Sequence, residues 1–421
     1  MNGTPPSFHL LAKPTGPICN LDCSYCFFLS KEMLYPGDRF RMADDLLETY
    51  IAQLLESHTA PEVMVAWQGG EPTMMGLDFF RRSVELVEIH RRPGQRISYS
   101  IQTNGTRLSN DWAVFFKENG FLVGLSVDGP REFHDAYRLD KQGKGSFDRV
   151  MAGYEMLAAR DVDVNVLCTV HAANQDHPLD VYRFFRDEMG VQFIQFIPIV
   201  ERVTETLLPL ANLGWASKED DRRTAKRPLY MQQGHHVTDR SIDAGALGRF
   251  LTAVFDEWVR ADVGEVFVQH FDVALGAWHG EGGGLCIFAE TCGLALAMEH
   301  NGDLYACDHY VEPDYLLGNI TETPMIELIA SEKQQAFGRA KRDTLPQYCL
   351  ECDVRFACNG GCPRNRFIDT PAGDPGLNYL CAGYKTFFAH IDPAMKLMSR
   401  LLNQGRAPSE ISKLGVPRRT A

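Results

Sequence analysis

The first half of the chain alternates short apolar runs with longer stretches whose apolar positions recur at helical spacing. FHLLAK (Phe8 to Lys13), EVMVAW (Glu62 to Trp67), RISYSIQT, FLVGLSV, DVNVLCTV and VQFIQFIPI (Val191 to Ile199) read as strands. Helical patterns fall between them, near Ala43 to Ser57, Asp78 to His90, Asn110 to Asn119, Phe147 to Arg160 and Leu179 to Glu188. Strands alternating with helices predict βαβ units in a parallel sheet. The six strands are fewer than the eight of a closed (β/α)₈ barrel, so the expected α/β fold is an open or partial barrel.

The alternation stops between Glu201 and Asp243, around the charged run KEDDRRTAKR and the Gly234-His235-His236 stretch. This segment reads as an exposed insertion or linker with a solvated histidine pair. A helical pattern near Gly245 to Arg260 follows. From Glu281 the composition changes to GEGGG and then eight of the twelve cysteines. Such sequence builds little core of its own and suggests a unit stapled by metals. After Ala382, YKTFFAHIDPAMKLMSRLL reads as a helix with a polar tail. The expected organisation is a barrel over 1–235, a linker with a helix over 236–280, a cysteine-rich domain over 281–384 and a C-terminal helix and tail over 385–421.

Composition narrows the function. The net charge of -13 over 421 residues excludes a general nucleic-acid binder, which needs a basic face. No basic segment followed by an apolar run opens the chain, and no apolar stretch approaches the ~18 residues of a membrane span. A cytoplasmic protein with no nucleic-acid or membrane partner is expected. In that reducing compartment cysteines serve metals or redox chemistry before disulfides.

CNLDCSYC sets Cys19, Cys23 and Cys26 just after the first strand. A structural zinc site wants four protein ligands. Three thiolates on one tight loop suit a [4Fe–4S] cluster with one iron left open for a small molecule. This C-x₃-C-x₂-C loop, with Tyr25 before the last cysteine, resembles the signature of radical S-adenosylmethionine (SAM) enzymes. That resemblance implies a partial (β/α)₆ radical SAM barrel and cleavage of SAM to a 5′-deoxyadenosyl radical. It also implies SAM contacts from Tyr25, from Gly70 in Gly69-Gly70-Glu71-Pro72, from Ser126 in SVDGP and from Arg138.

The later cysteines are Cys286, Cys292, Cys307, Cys349, Cys352, Cys358, Cys362 and Cys381. Paired zinc knuckles usually bring two C-x₂-C pairs, and only Cys349 and Cys352 qualify. Eight thiolates fit two closed [4Fe–4S] sets, although spacing alone does not assign the partners. The pattern resembles the SPASM extension of radical SAM enzymes. By that resemblance Cys286, Cys292, Cys307 and Cys362 hold a first auxiliary cluster, and Cys349, Cys352, Cys358 and Cys381 a second, for three [4Fe–4S] clusters in all. Full ligation favours electron transfer over substrate binding. Cys168 remains over and reads as a small buried thiol.

AKPTGPICNLDCSYCFFLSKEMLYP, VAWQGGEPTMMGLDFF, LSVDGPREFHDAYR and NGDLYACDHYVEPDYLLGNI together resemble the anaerobic sulfatase-maturating enzymes. The implied reaction oxidises a cysteine or serine in a C/S-x-P/A-x-R sulfatase motif to Cα-formylglycine. The substrate radical loses a proton and an electron, giving a thioaldehyde that hydrolyses, or the aldehyde itself. From composition, Asp308 is a turn cap or a base; the resemblance makes it the base, and Gln68 could line the pocket. Implied partners are an unfolded or nascent sulfatase and an electron donor such as flavodoxin or ferredoxin. The rival is another SPASM peptide maturase, forming a thioether, a cross-link or an epimer. Thioether-forming relatives often carry an extra N-terminal domain, for which a first strand beginning by Phe8 leaves no room.

Overall fold

The apolar runs become adjacent parallel strands because each then satisfies its backbone groups on both sides. In the computed structural model, which describes residues 5–215, 229–282 and 284–415, six strands stand in sequence order. They are β1 (His9–Ala12), β2 (Glu62–Trp67), β3 (Arg96–Thr103), β4 (Phe121–Ser126), β5 (Val164–Val170) and β6 (Phe193–Pro198). Each is parallel to the next. Leu10, Val65, Val123 and Val166 are fully buried, each contributing about 1.5–3 kcal/mol.

Helices cross between the strands at Asp44–Ser57, Leu77–His90, Asn110–Glu118 and Phe147–Ala158. The helix expected at Leu179 to Glu188 runs as Pro178–Arg183 and continues as a wider turn over Phe184–Glu188. One further helix, Arg131–Tyr137, was not expected; seven residues show too little periodicity to be read.

The sheet does not end with the barrel. After a two-residue ladder of β7 (Arg202–Val203) with β8 (His236–Val237), β9 (Phe267–Val268) adds beyond β6. On the other side β10 (Ala295–Met298) pairs in parallel with β1, followed by antiparallel β11 (Asp303–Tyr305) and β12 (Leu316–Asn319). The result is one ten-stranded sheet, with a separate hairpin of β13 (Arg366–Asp369) and β14 (Pro375–Asn378). The cysteine-rich part thus extends the barrel's own sheet.

Residues 236–280, expected as a linker with a helix, carry more structure than that. They hold two helices, Ala244–Ala261 and Gln269–His279, and the first buries Leu247, Phe250, Leu251 and Val254. It packs on the C-terminal helix Cys381–Asn403, where a Cβ on Gly383 would stand 2.2 Å from the Ala244 carbonyl oxygen. The helix pair therefore meets on glycine.

KEDDRRTAKR lies outside the described residues, but its flanks, though exposed in part, carry a buried ion pair. Glu201 and Arg240, 2% and 5% exposed, make two hydrogen bonds at 3.0 and 3.1 Å, and Thr238 donates to the same carboxylate at 2.6 Å. His235 and His236 are exposed, as expected. Among the described residues no helix is long and apolar enough to cross a membrane.

Candidate active site

The chain leaves β1 at Lys13 and turns into the loop bearing Cys19, Cys23 and Cys26. Gly70, after β2, packs directly on that loop: a Cβ there would lie 2.1 Å from the Ile18 carbonyl oxygen. Gly70 N donates to Gly16 O at 2.8 Å and Glu71 N to Ile18 O at 2.9 Å. The close approach expected toward a ligand is, in the fold, an approach to the cysteine loop's own backbone. Glu71 is fully buried and accepts from Thr73 N, Thr73 Oγ1, Thr103 Oγ1 and Asn104 N at 2.6–3.0 Å. It fastens the GGEP loop to the end of β3.

The three thiols gather in a partly enclosed place. Burial, helped by Glu71 and the Cys23 thiol, raises Cys19 well above its ordinary value. Burial pushes Cys23 up to about 12, with Arg138 opposing and Cys26 adding. Asn104 Nδ2 and Leu21 N donate to the Cys19 sulfur at 3.5 and 3.3 Å. A cationic iron centre binds thiolates and releases their protons, so the crowded trio fits such a centre.

Beside it lies a buried ionic knot absent from the sequence expectations. Asp128, fully buried, accepts from Tyr25 Oη at 2.6 Å, Arg138 Nε at 2.8 Å, Arg138 Nη2 at 3.0 Å and Thr169 N at 2.9 Å. Burial alone would raise its carboxyl, but Arg138 and His171 hold it well below the usual carboxylate range. Two of the expected SAM contacts, Tyr25 and Arg138, therefore meet on one aspartate. Arg138, expected to pair with a ligand carboxylate, has its Nε and Nη2 edge on Asp128. Ser126, at the end of β4, is 6% exposed.

The eight later cysteines separate into two groups. Burial raises Cys286, Cys292 and Cys307, and for each the Cys362 thiol is a neighbour that adds to the effect. Lys341, fully buried, donates to the Cys286 and Ile287 carbonyls at 2.7 and 3.0 Å and so fixes the first loop. Cys358 is pushed up to about 12 by burial, with Cys381, Cys349 and Cys352 adding. Cys349, Cys352, Cys358 and Cys381 line one cavity. All twelve cysteines are free thiols. Among the described residues no three His, Cys, Asp or Glu groups converge as closely as a single metal ion needs. In a cubane each thiolate takes its own iron, so convergence on one ion is not required. Cys168 is buried in the barrel core on β5.

Asp308 follows Cys307 and begins a short turn, Asp308–Tyr310. Its Oδ1 lies 2.7 Å from the Nζ of Lys13, a fully buried lysine that also reaches Glu299 at 3.3 Å. Lys13 and Glu299 were missed because a lone charge at a strand end resembles an ordinary strand terminus. Gln68 is 8% exposed, and its Oε1 is buried with no hydrogen-bond partner, as expected of a group that awaits a ligand.

Residues 14–185 match the family model of the Radical SAM superfamily, and residues 286–353 match the SPASM iron-sulfur cluster-binding domain. The fold and its cysteine sets thus define a radical SAM enzyme with a SPASM domain. A serine-type anaerobic sulfatase-maturating enzyme of Bacteroides thetaiotaomicron is 44% identical over 96% of this chain and 94% of its own. A cysteine-type enzyme of Clostridium perfringens is 32% identical over 93% and 98%. The solved structure of native anSMEcpe with bound AdoMet superposes with a TM-score of 0.79 at 31% identity, covering 93% of this chain and 99% of that one. The chain belongs to the anaerobic sulfatase-maturating enzyme family.

Proposed function

We propose that the protein oxidises a cysteine or serine in a C/S-x-P/A-x-R sulfatase motif to Cα-formylglycine, with Asp308 as the base. The observation that carries this reading is a carboxylate held at the barrel mouth directly after a cysteine of the first auxiliary group. Cys19, Cys23 and Cys26 hold the SAM cluster. Cys286, Cys292, Cys307 and Cys362 hold one auxiliary cluster, and Cys349, Cys352, Cys358 and Cys381 the other. When bound, SAM and these clusters supply removal of a hydrogen atom from the target Cβ and uptake of one electron.

The remaining work belongs to the chain. Tyr25, Gly70, Ser126 and Arg138 orient SAM, with Asp128 locking Tyr25 and Arg138 in place and leaving the Nη1 edge of Arg138 for a ligand carboxylate. Asp308 takes the proton from the target's thiol or hydroxyl. Gln68 lines the pocket. A flavodoxin- or ferredoxin-type protein supplies the reducing electron.

The test is anaerobic incubation of the iron-loaded protein with SAM, dithionite and synthetic C-x-P-x-R and S-x-P-x-R peptides. Formation of 5′-deoxyadenosine together with the mass change of an aldehyde is expected for at least one peptide. Cleavage of SAM with both peptides unchanged would overturn the substrate assignment and favour another peptide modification.

A further inference from the structure

The sheet register brings Lys13 to the proposed base. β1 pairs with β10 from His9 opposite Ala295 to Ala12 opposite Met298. Lys13 continues that ladder by donating N–H to Met298 O at 2.9 Å, so it stands beside Glu299 at the start of the β10–β11 turn. Asp308 lies just past the end of β11. One ammonium thus reaches a carboxylate on either side of the hairpin, at 3.3 and 2.7 Å. It also covers the ring of Phe28, at 4.3 Å, two residues after Cys26.

Burial alone would favour loss of the Lys13 proton, but Asp308 and Glu299 raise its proton affinity above the ordinary value. The lysine is therefore a fixed cation inside the protein. Glu299 is held in turn by His300, whose Nδ1 lies 3.7 Å away and whose Nε2 lies 3.2 Å from the partly exposed Asp38. This ionic chain gathers orphaned atoms: Lys13 Nζ, Glu299 Oε2, both His300 ring nitrogens and Asp308 Oδ1 are buried with no well-directed hydrogen bond. Their contacts are charge against charge and set position rather than a hydrogen-bonded geometry.

We infer that Lys13 is a positioning residue for the reaction: it clamps Asp308 Oδ1 and thereby presents the other carboxylate oxygen, Oδ2, to the target side chain. The inference rests on the reading of Asp308 as the base and adds which oxygen acts and what holds it. Lys13 belongs to the barrel and Asp308 to the cysteine-rich extension, so the clamp also fixes the base relative to the barrel mouth.

The test is Lys13→Met in the iron-loaded full chain, reading aldehyde formed per 5′-deoxyadenosine released. Misfolding or poor loading lowers both products together and leaves the ratio unmoved; a displaced base lowers the ratio alone. A fall of about 10²-fold is expected, as for an ångström-scale misplacement of a reacting group. Lys13→Met with Glu299→Gln removes the carboxylate stranded by the first change and serves where the single variant does not fold; the same fall is expected. Adding Asp308→Asn to either should bring the ratio to that of Asp308→Asn alone and no lower. A crystal structure of the variant should show the Asp308 carboxylate rotated from its wild-type position, a readout independent of turnover. An unchanged ratio in folded, iron-replete Lys13→Met, beside a collapsed ratio in Asp308→Asn, would overturn the clamp and leave the base standing. An unchanged ratio in Asp308→Asn would overturn the base itself and the clamp with it.

Discussion

Two aspartates at the same barrel mouth live under opposite conditions. Asp128 is fully buried and accepts four hydrogen bonds, two of them from Arg138. Asp308 keeps a side chain 14% exposed and holds one ion pair, to Lys13, with no directed hydrogen bond at Oδ1. A carboxylate whose lone pairs are all occupied is a permanent anion and serves as architecture. One with an oxygen free of such bonds has room to accept a proton. Carboxylates set in environments this different take different roles, and under the proposed function the contrast separates the cofactor's side of the mouth from the substrate's.

Four measurements press on that contrast. Asp308→Asn should lower aldehyde yield by about 10²–10⁴-fold while SAM cleavage continues, because only the proton acceptor is lost; product ratios by mass spectrometry decide it. Asp128→Asn should act mainly on stability, costing about 3–5 kcal/mol by stranding the buried Arg138 guanidinium, which denaturant melts would read. Equal stability losses in the two variants would erase the distinction between architecture and base. Gly70→Ala should cost about 1–3 kcal/mol, since its methyl meets the Ile18 carbonyl and shifts the cysteine loop. SAM affinity should weaken with it.

The smallest effect concerns pH. His300 is buried, which alone would lower its affinity for a proton, but Glu299 and Asp38 raise it above 6.5. A raised folded value means stabilisation that is complete below about pH 6.5 and lost as pH rises through the folded value. His300→Gln should therefore melt below wild type in mild acid and converge with it in alkali, by about 2 °C or less. A constant offset across that range would remove His300 from the ionic chain behind Asp308.

Much of this molecule is legible along the chain. Strands β2 and β3 fall on their apolar runs residue for residue, and the three-cysteine loop is local enough that spacing alone carries its chemistry. Helix Arg131–Tyr137 was missed for want of length, and within 236–280 helix Ala244–Ala261 was expected while Gln269–His279 was not. Residues 201–215 and 229–243 looked exposed because they are polar, yet Glu201 and Arg240 neutralise each other in the interior. Asp128 was hidden inside SVDGP, where a turn aspartate is the ordinary expectation.

The sequence by itself determined the class of chemistry and the order of the barrel strands, because ligand spacing and apolar periodicity are set within a few residues of backbone. Only the tertiary structure decided which cysteines share a neighbourhood, that the hairpin after β10 extends the barrel sheet, and that Lys13 meets Asp308. Those pairings join residues tens to hundreds of positions apart. Charge attraction inside a low-dielectric interior selects them only after the sheet register has brought them together.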